Sequence, residues 1–417
     1  MNLDFYKEQF SNLLSGISDE PKSLLDERQN AFAWLADNGL PNKKDELWQY
    51  TDLSDFEKRE YLLINGVSSK PSDNFLSKIK LSDSNRIVLL NGKIDLELSD
   101  YPDQDILIKS INERNPLDPN KLSNAFVALN TSMKQGGFII QIDGQYNSDK
   151  PLHIINYVDD KHGQKLFNQY NNISLAKSCS VTIIEETIVN GNDVFHNTVT
   201  EIDLAENASI EHVVLQDNDA KSFGFNHYFV HQSNDSNYNA QFITKNGALI
   251  RNELNVDIDG SNCSTNVHGL GLLEGKDHIE NYTNVTHQKP NCNSHQLYKY
   301  LLKDSAEGVF NGLVKVNQLA QQTDSIQTNK NILLSNKALM NSNPQLEIYA
   351  DDVKCGHGSA TGELDENAIF YLRSRGLDLE TAKSLLIEGF VKEVIDHIKN
   401  DQFKQRVNTI LQNWLEN

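Results

Sequence analysis

The sequence predicts a mainly β protein, a parallel β-helix flanked by N-terminal and C-terminal helical regions, and three observations carry that reading. From about residue 137 to 350 the chain runs through short β-rich segments, among them SVTIIEETI, FHNTVTEIDL, ASIEHVVLQ, FGFNHYFVH and GVFNGLVKV, separated by Asn, Asp and Gly. Many recur after roughly fourteen to sixteen residues without a fixed consensus, as successive turns of an irregular strand stack would. A sandwich would read similarly. The abundance of Asn, as in NYTNV, NTVTE and NCNSH, favours the β-helix, because Asn tolerates left-handed corners and stacks in hydrogen-bonded ladders. Helical periodicity at both ends of the chain completes the pattern.

Taken in order, Pro21 to Asn38 places Leu24, Leu25, Phe32 and Leu35 at helical spacing, with Pro at the start and Gly39 and Pro41 as a stop. The run IVLLNGKIDLEL predicts two short strands around Asn91-Gly92, and Lys121 to Met133 predicts a helix. These assignments divide the chain into an N-terminal helical region with a small strand pair (1–135), a β-helix core (136–360) and a C-terminal helical domain (361–417). In the last region Asp365 is the expected N-cap of a helix through Arg375 closed by Gly376, and Asp378 caps the next. Phe403, Val407, Ile410, Leu411, Trp414 and Leu415 then form one apolar helical face, expected to pack on neighbouring helices.

Composition narrows the function classes. A chain of 417 residues can bury a substantial core. Its net charge of −20 argues against a nucleic-acid or anionic-membrane surface, and its 38 basic residues form no dense run. The longest apolar runs are far too short to span a bilayer, and MNLDFYKEQF is not a secretory signal. Cysteines at 179, 263, 292 and 355 form no CxxC pair, which points to a reducing cytoplasm. The chain has no GxxxxGK[ST], no GxGxxG after a clean strand and no GxSxG, so any ATP consumed must be hydrolysed by a partner.

The segment 350–377, ADDVKCGHGSATGELDENAIFYLRSRGL, carries the chemistry. Cys355 and His357 stand two residues apart, so an extended backbone projects both from one face, where thiolate and imidazole can jointly hold a thiophilic metal or a sulfur species. Asp352, beside Asp351, stands where a carboxylate can orient His357 or give iron an oxygen ligand. His268, His278, His287 and His295 recur at intervals of eight to ten, and in a coiled body could line one wall as a metal site. Cys263 and Cys292 read as small buried hydrophobes, with a relay thiol as the other reading. The adjacent pair Glu185-Glu186 points to opposite faces of a strand, so it is read as solvated rather than as an acid and base.

Four blocks resemble the SufB/SufD family of iron-sulfur cluster assembly proteins, on its SufD side: KKDELWQYTDL (43–53), GVFNGLVKVNQLAQQTDSIQTNKNILLS (308–335), PQLEIYADDVKCGHG (344–358) and LDENAIFYLRSRGL (364–377). Weaker similarity runs through 268–302 and is diffuse from about 80 to 245. The resemblance implies a right-handed parallel β-helix and a non-catalytic scaffold subunit that pairs with a SufB-like subunit and a SufC-like ABC ATPase to build and transfer clusters. It maps ATPase docking onto about 361–417 and the SufB contact onto the β-helix near the Cys-x-His segment. It implies a transient iron-sulfur cluster at Cys355 and His357, with His357 the preferred ligand, and a reduced flavin as a candidate cofactor of the complex. A homodimer is the expected alternative for the isolated chain. Many SufD-like sequences read HGAT where this chain has His357-Gly358-Ser359-Ala360, which leaves the ligand positions untouched. The cysteine that SufB-like chains carry on the preceding strand is absent from 333–343.

The competing class is a β-helix lyase or esterase acting on carbohydrate, which predicts export and a clustered catalytic set. Neither is visible in the sequence. A zinc hydrolase built on the histidines is the third reading, separable by whether the chain takes up zinc alone or iron and sulfide.

Overall fold

The computed structural model describes residues 2–416 except 18–19, 65–69, 101–104, 110, 123, 145, 149, 161–163 and 192. Its centre is a parallel β-helix of about eight turns. From Gly136 onward the chain alternates between two ten-stranded sheets, one strand at a time, so strands two apart in sequence are hydrogen-bonded neighbours. The first sheet ends on Leu339–Ile348, the second on Val353–Gly362. The fourteen-to-sixteen-residue recurrence is therefore half a coil, and side chains 29 residues apart stack, as the Asn252 amide does on Asn281 at 3.1 Å.

Two sequence features explain the coil. Along one wall Ile173, Ile202, Val230, Val256, Val285 and Val314 stand in register, all buried. Such β-branched side chains suit a pleated surface, and each contributes roughly 1.5–3 kcal/mol by leaving water. At one corner Asn207, Asp235, Asn262 and Asn291 take φ of 60, 60, 60 and 62°, left-handed positions that Asn and Asp occupy more readily than other non-glycine residues. Asn262 Nδ2 also donates to Asp235 Oδ1 of the coil below, at 3.0 Å. The asparagines thus both turn the chain and tie its coils together.

The expected helix at Pro21 spans Lys22–Asn38, and Asn85–Leu90 pairs antiparallel with Lys93–Ile94 around Asn91-Gly92. Asn85–Leu90 also joins the second sheet, in parallel with Leu152–Asp160. The helix expected over Lys121 to Met133 is shorter, Ala125–Met133, because the Asn124 side chain accepts from Phe126 N and caps it there; residue 123 lies outside the described residues. The strand body also outlasts residue 350, since the Gly-rich stretch after Ala350 is itself the strand Val353–Gly362.

Both outer faces of the coil are clad. The first sheet is covered by an aromatic cluster that includes Trp48, Phe56, Tyr61, Phe126, Phe195 and Phe225, with Phe126 and Phe225 stacked at 3.6 Å. The second is covered by helices Leu379–Ile395 and Asp401–Glu416. Phe403, Val407, Leu411 and Trp414 do not merely meet helical neighbours: with Ile387 and Val391 they form one cluster with Val213, Leu215, Ile243, Leu270 and Leu301 of the sheet. The outer face of this sheet is apolar there and needs that cover.

KKDELWQYTDL has a physical role in this cladding. Arg251, wholly buried, lies between the rings of Trp48 (3.8 Å) and Tyr282 (3.6 Å) and pairs with Glu253 (2.6 Å) and Glu280 (2.8 Å). Thr51 donates to Glu280 at 2.8 Å, which also pairs with His278 at 2.7 Å. Burial works against His278, yet its bonds to Glu280 and Glu307 raise its pKa to about 9. Removing one partner from such a cluster strands the opposite charges in low dielectric. Arg251→Leu is expected to lower stability by about 3–5 kcal/mol, read from guanidinium unfolding. It should also expose residues 43–53 to limited proteolysis.

Candidate functional site

Cys355 and His357 lie on the last strand of the second sheet, which has a neighbour on one side only. In register beneath them, on Thr323–Leu333, are Ser325 and Gln327. Strand alternation sends both side chains into the space between the sheets: Cys355 packs partly buried against the main core, and His357 is exposed at its mouth. Across the mouth runs Leu339–Ile348, the terminal strand of the other sheet, and Ser359 meets Ser342 there at 2.8 Å. The last coil therefore presents two ten-residue strands with an open edge each.

The mouth is polar below and empty above. Ser325, Gln327, Asn329 and Asn331 are all buried under Cys355, His357, Ser359 and Thr361. Gly356, Gly358 and Gly362 lie on the terminal strand, and a Cβ at any of them would meet nothing within 4 Å. Packing inside the chain does not require glycine there, whereas close approach by another backbone would.

Burial pushes the Cys355 thiol up; hydrogen bonding from the Ser325 backbone opposes this, and the charge of Asp324 adds to it. Metal binding there must displace a proton. Asp352 is exposed in the turn before the strand, its backbone N–H held by Gln321 Oε1 at 2.9 Å and its carbonyl by Gln322 N. It is not gathered with Cys355 and His357: among the described residues no group of three or more His, Cys, Asp and Glu could hold a metal ion. Two donors from one face are what this chain offers.

The histidine wall does not form. His268 stacks on His397 at 3.7 Å beneath the C-terminal helices, and burial followed by the His397 charge lowers its pKa to about 4. His287 bonds Ser294 Oγ inside the coil, also lowered to about 4 by burial, while His278 belongs to the Arg251 cluster and His295 meets Asp324 on the surface. His278 and His287 stand at opposite ends of one strand of the first sheet, while His268 and His295 lie on two strands of the second, so recurrence at eight to ten residues does not align them. Cys263 and Cys292 are buried and stacked, Cys263 N donating to Cys292 Sγ at 3.4 Å. The hydrogen bond between the two thiols lowers Cys263 to about 6 and raises Cys292, to which burial adds. Glu185 and Glu186 are not solvated. Glu185 pairs inside the coil with His212 (3.0 Å), and Glu186 with His153 (2.8 Å) and Arg406 (2.6 Å).

The polar floor under Cys355 escaped the sequence reading. Its signal was there in TDSIQTNKNIL, where Ser325, Gln327, Asn329 and Asn331 alternate with period two about thirty residues before the Cys-x-His pair.

The fold is a β-helix clad on both faces that ends in an open coil carrying a thiol and an imidazole. The chain belongs to the SufBD family: residues 157–390 match the model of the SUF system FeS cluster assembly, SufBD core domain, and 2–154 that of the SufBD protein N-terminal region. It is similar to iron-sulfur cluster assembly protein SufD of Escherichia coli, 31% identical over 91% of this chain and 90% of the relative. A SufBD family protein of Synechocystis is 30% identical over 95% and 91%, and SufD of Bacillus subtilis 28% identical over 71% and 67%. No helix among the described residues is long and apolar enough to cross a membrane.

Thiol accessibility follows from these positions. Cys179, Cys263 and Cys292 are at most 1% exposed, whereas Cys355 is only partly buried. Under native conditions iodoacetamide should label one thiol, Cys355, more slowly than a free cysteine because its pKa is raised. The other three should react only in denaturant, as mass spectrometry of the peptides would show.

Proposed function

We propose that this chain is the SufD-like subunit of an iron-sulfur cluster assembly scaffold, in which the open coil pairs with a SufB-like subunit and Cys355 and His357 handle the nascent cluster. The observation that carries it is the coincidence, on one strand, of an unpaired edge, a thiol, an imidazole and three glycines that the chain's own packing does not need. Strand addition across that edge would satisfy its free backbone groups and bring further donors to the two already present. The cluster is cargo here, held by too few ligands from this chain to be retained.

ATP hydrolysis is assigned to a SufC-like ABC ATPase docking on the C-terminal helices. Helix Glu366–Ser374 has no buried residue and presents Phe370 and Tyr371 to solvent, 75% and 56% exposed. The neighbouring helices are committed to the sheet, which leaves this one free for a partner. The subunit itself is read as a scaffold without catalysis of its own, working in the cytoplasm.

Two experiments test the proposal. His357→Ala and Cys355→Ser, each in the co-purified complex, should reduce bound iron and acid-labile sulfide, His357→Ala by about tenfold or more; parental yields in both would remove the site assignment. In a capture experiment Gly358→Val should leave the thermal midpoint unchanged, because a Cβ there meets nothing, yet lose the SufB-like subunit. Phe370→Ser with Tyr371→Ser should lose only the ATPase. Retention of both partners by these variants would place the docking surfaces elsewhere.

A further inference from the structure

The floor of the open coil holds one residue whose chemistry is unspent. Ser325 Oγ bonds Ser294 Oγ at 2.8 Å. Asn329 and Asn331 bond each other at 2.7 and 3.0 Å, and reach Ser359 and Thr361 above. Gln327, between them and wholly buried, has neither amide atom partnered. Buried side-chain amides are nearly always satisfied, so one left open on both atoms marks a place where a partner group belongs. Its register neighbour above is His357, about 4.8 Å away along the hydrogen-bonding direction and on the same interior face. Below it is Gln296, whose Oε1 accepts from Thr283 Oγ1 at 2.6 Å and whose Nε2 is likewise open.

We propose that Gln327 is the positioning residue of the site: its side-chain carbonyl takes the inward ring N–H of His357, which fixes the tautomer and aims the other ring nitrogen outward at the metal. This rests on the reading of His357 as a cluster ligand. A ligating histidine generally gives its second ring N–H to an acceptor that orients it and raises its basicity. The Gln327 carbonyl has two lone pairs, enough for the Gln296 amide below and the ring above. Ser325, already bonded to Ser294, and Asn329, already bonded to Asn331 and Ser359, are otherwise engaged. A glutamine also keeps the floor uncharged, so iron approaching the mouth finds the electrostatics set by Cys355 and its own ligands.

The test uses the full chain and three variants, with anaerobic Fe2+ titration and nitrogen-15 spectra of histidine-labelled protein. Gln327→Leu removes both polar atoms at similar volume, so the thermal midpoint should hold or rise. Its Fe2+ affinity should fall roughly ten- to a hundredfold, and the His357 signal should shift from a single tautomer to the mixture of a free imidazole. Gln327→Glu, which restores an acceptor, should recover both. If Gln327→Leu binds Fe2+ as the parent does while His357→Ala does not, the positioning role is overturned and the ligand reading stands. If His357→Ala itself binds as the parent, the ligand reading fails and the positioning role with it. A fall in thermal midpoint for Gln327→Leu, with no tautomer change, would make Gln327 a packing residue and overturn the proposal.

Discussion

A parallel β-helix satisfies the backbone of each coil with the coils on either side, and its last coil has no successor. That constraint organises this molecule. At the N-terminal end the chain closes the stack itself, with Lys93–Ile94 and Ile106–Lys109 added antiparallel to the strands they cover. At the C-terminal end it does not, and two ten-residue strands are left with unpaired donors and acceptors. Edge strands elsewhere are blunted by lysine, proline or bulges. Here Leu339–Ile348 carries Pro344 and Val353–Gly362 carries Lys354, but His357 aside the rest of Val353–Gly362 is small. An edge of that kind, beside Cys355 and His357, is open to pairing by a second backbone.

The remainder of the fold keeps the other surfaces from competing for that role. Aromatic residues from the N-terminal region cover one sheet and the C-terminal helices cover the other, so the large apolar faces of the coil are spent internally. The Arg251 cluster holds the first of these covers at a substantial desolvation cost, compensated by near-complete pairing: the guanidinium meets two carboxylates and two rings, and Glu280 meets Arg251, His278 and Thr51. Breaking such a network is costly, because removing one partner leaves buried charges unpaired.

Much of this was legible in the sequence because it rests on local rules. Half-coil recurrence, Asn and Asp at left-handed corners, and Asp365 and Asp378 as caps are each set by one residue's backbone preference or by strand alternation. What escaped depends on register across about thirty residues. Gln327 under His357 and the pairing of Glu185 with His212 and Glu186 with His153 come from which coil stacks on which, while Thr51 on Glu280 joins residues 229 apart. The histidine wall failed for the same reason: an interval of eight to ten residues is neither a half coil nor a coil, so it scatters side chains over both sheets instead of aligning them.

The donor set bears directly on how a cluster could be passed on. Four thiolates from one rigid body bind iron-sulfur species tightly and give them up slowly, since every ligand must be lost from a geometry that does not relax. This chain supplies one thiol, itself protonated until a metal displaces the proton, and one imidazole, both on the face of a strand whose outer edge is free. Any remaining ligands would come from across that edge, so widening the junction would remove part of the coordination sphere at a stroke. Binding and release then become two states of an interface, and the energy separating them need only be the differential contact along two strands. A motor docked on the exposed helix Glu366–Ser374, which follows Val353–Gly362 after Glu363, Leu364 and Asp365, would be placed to act on that edge directly.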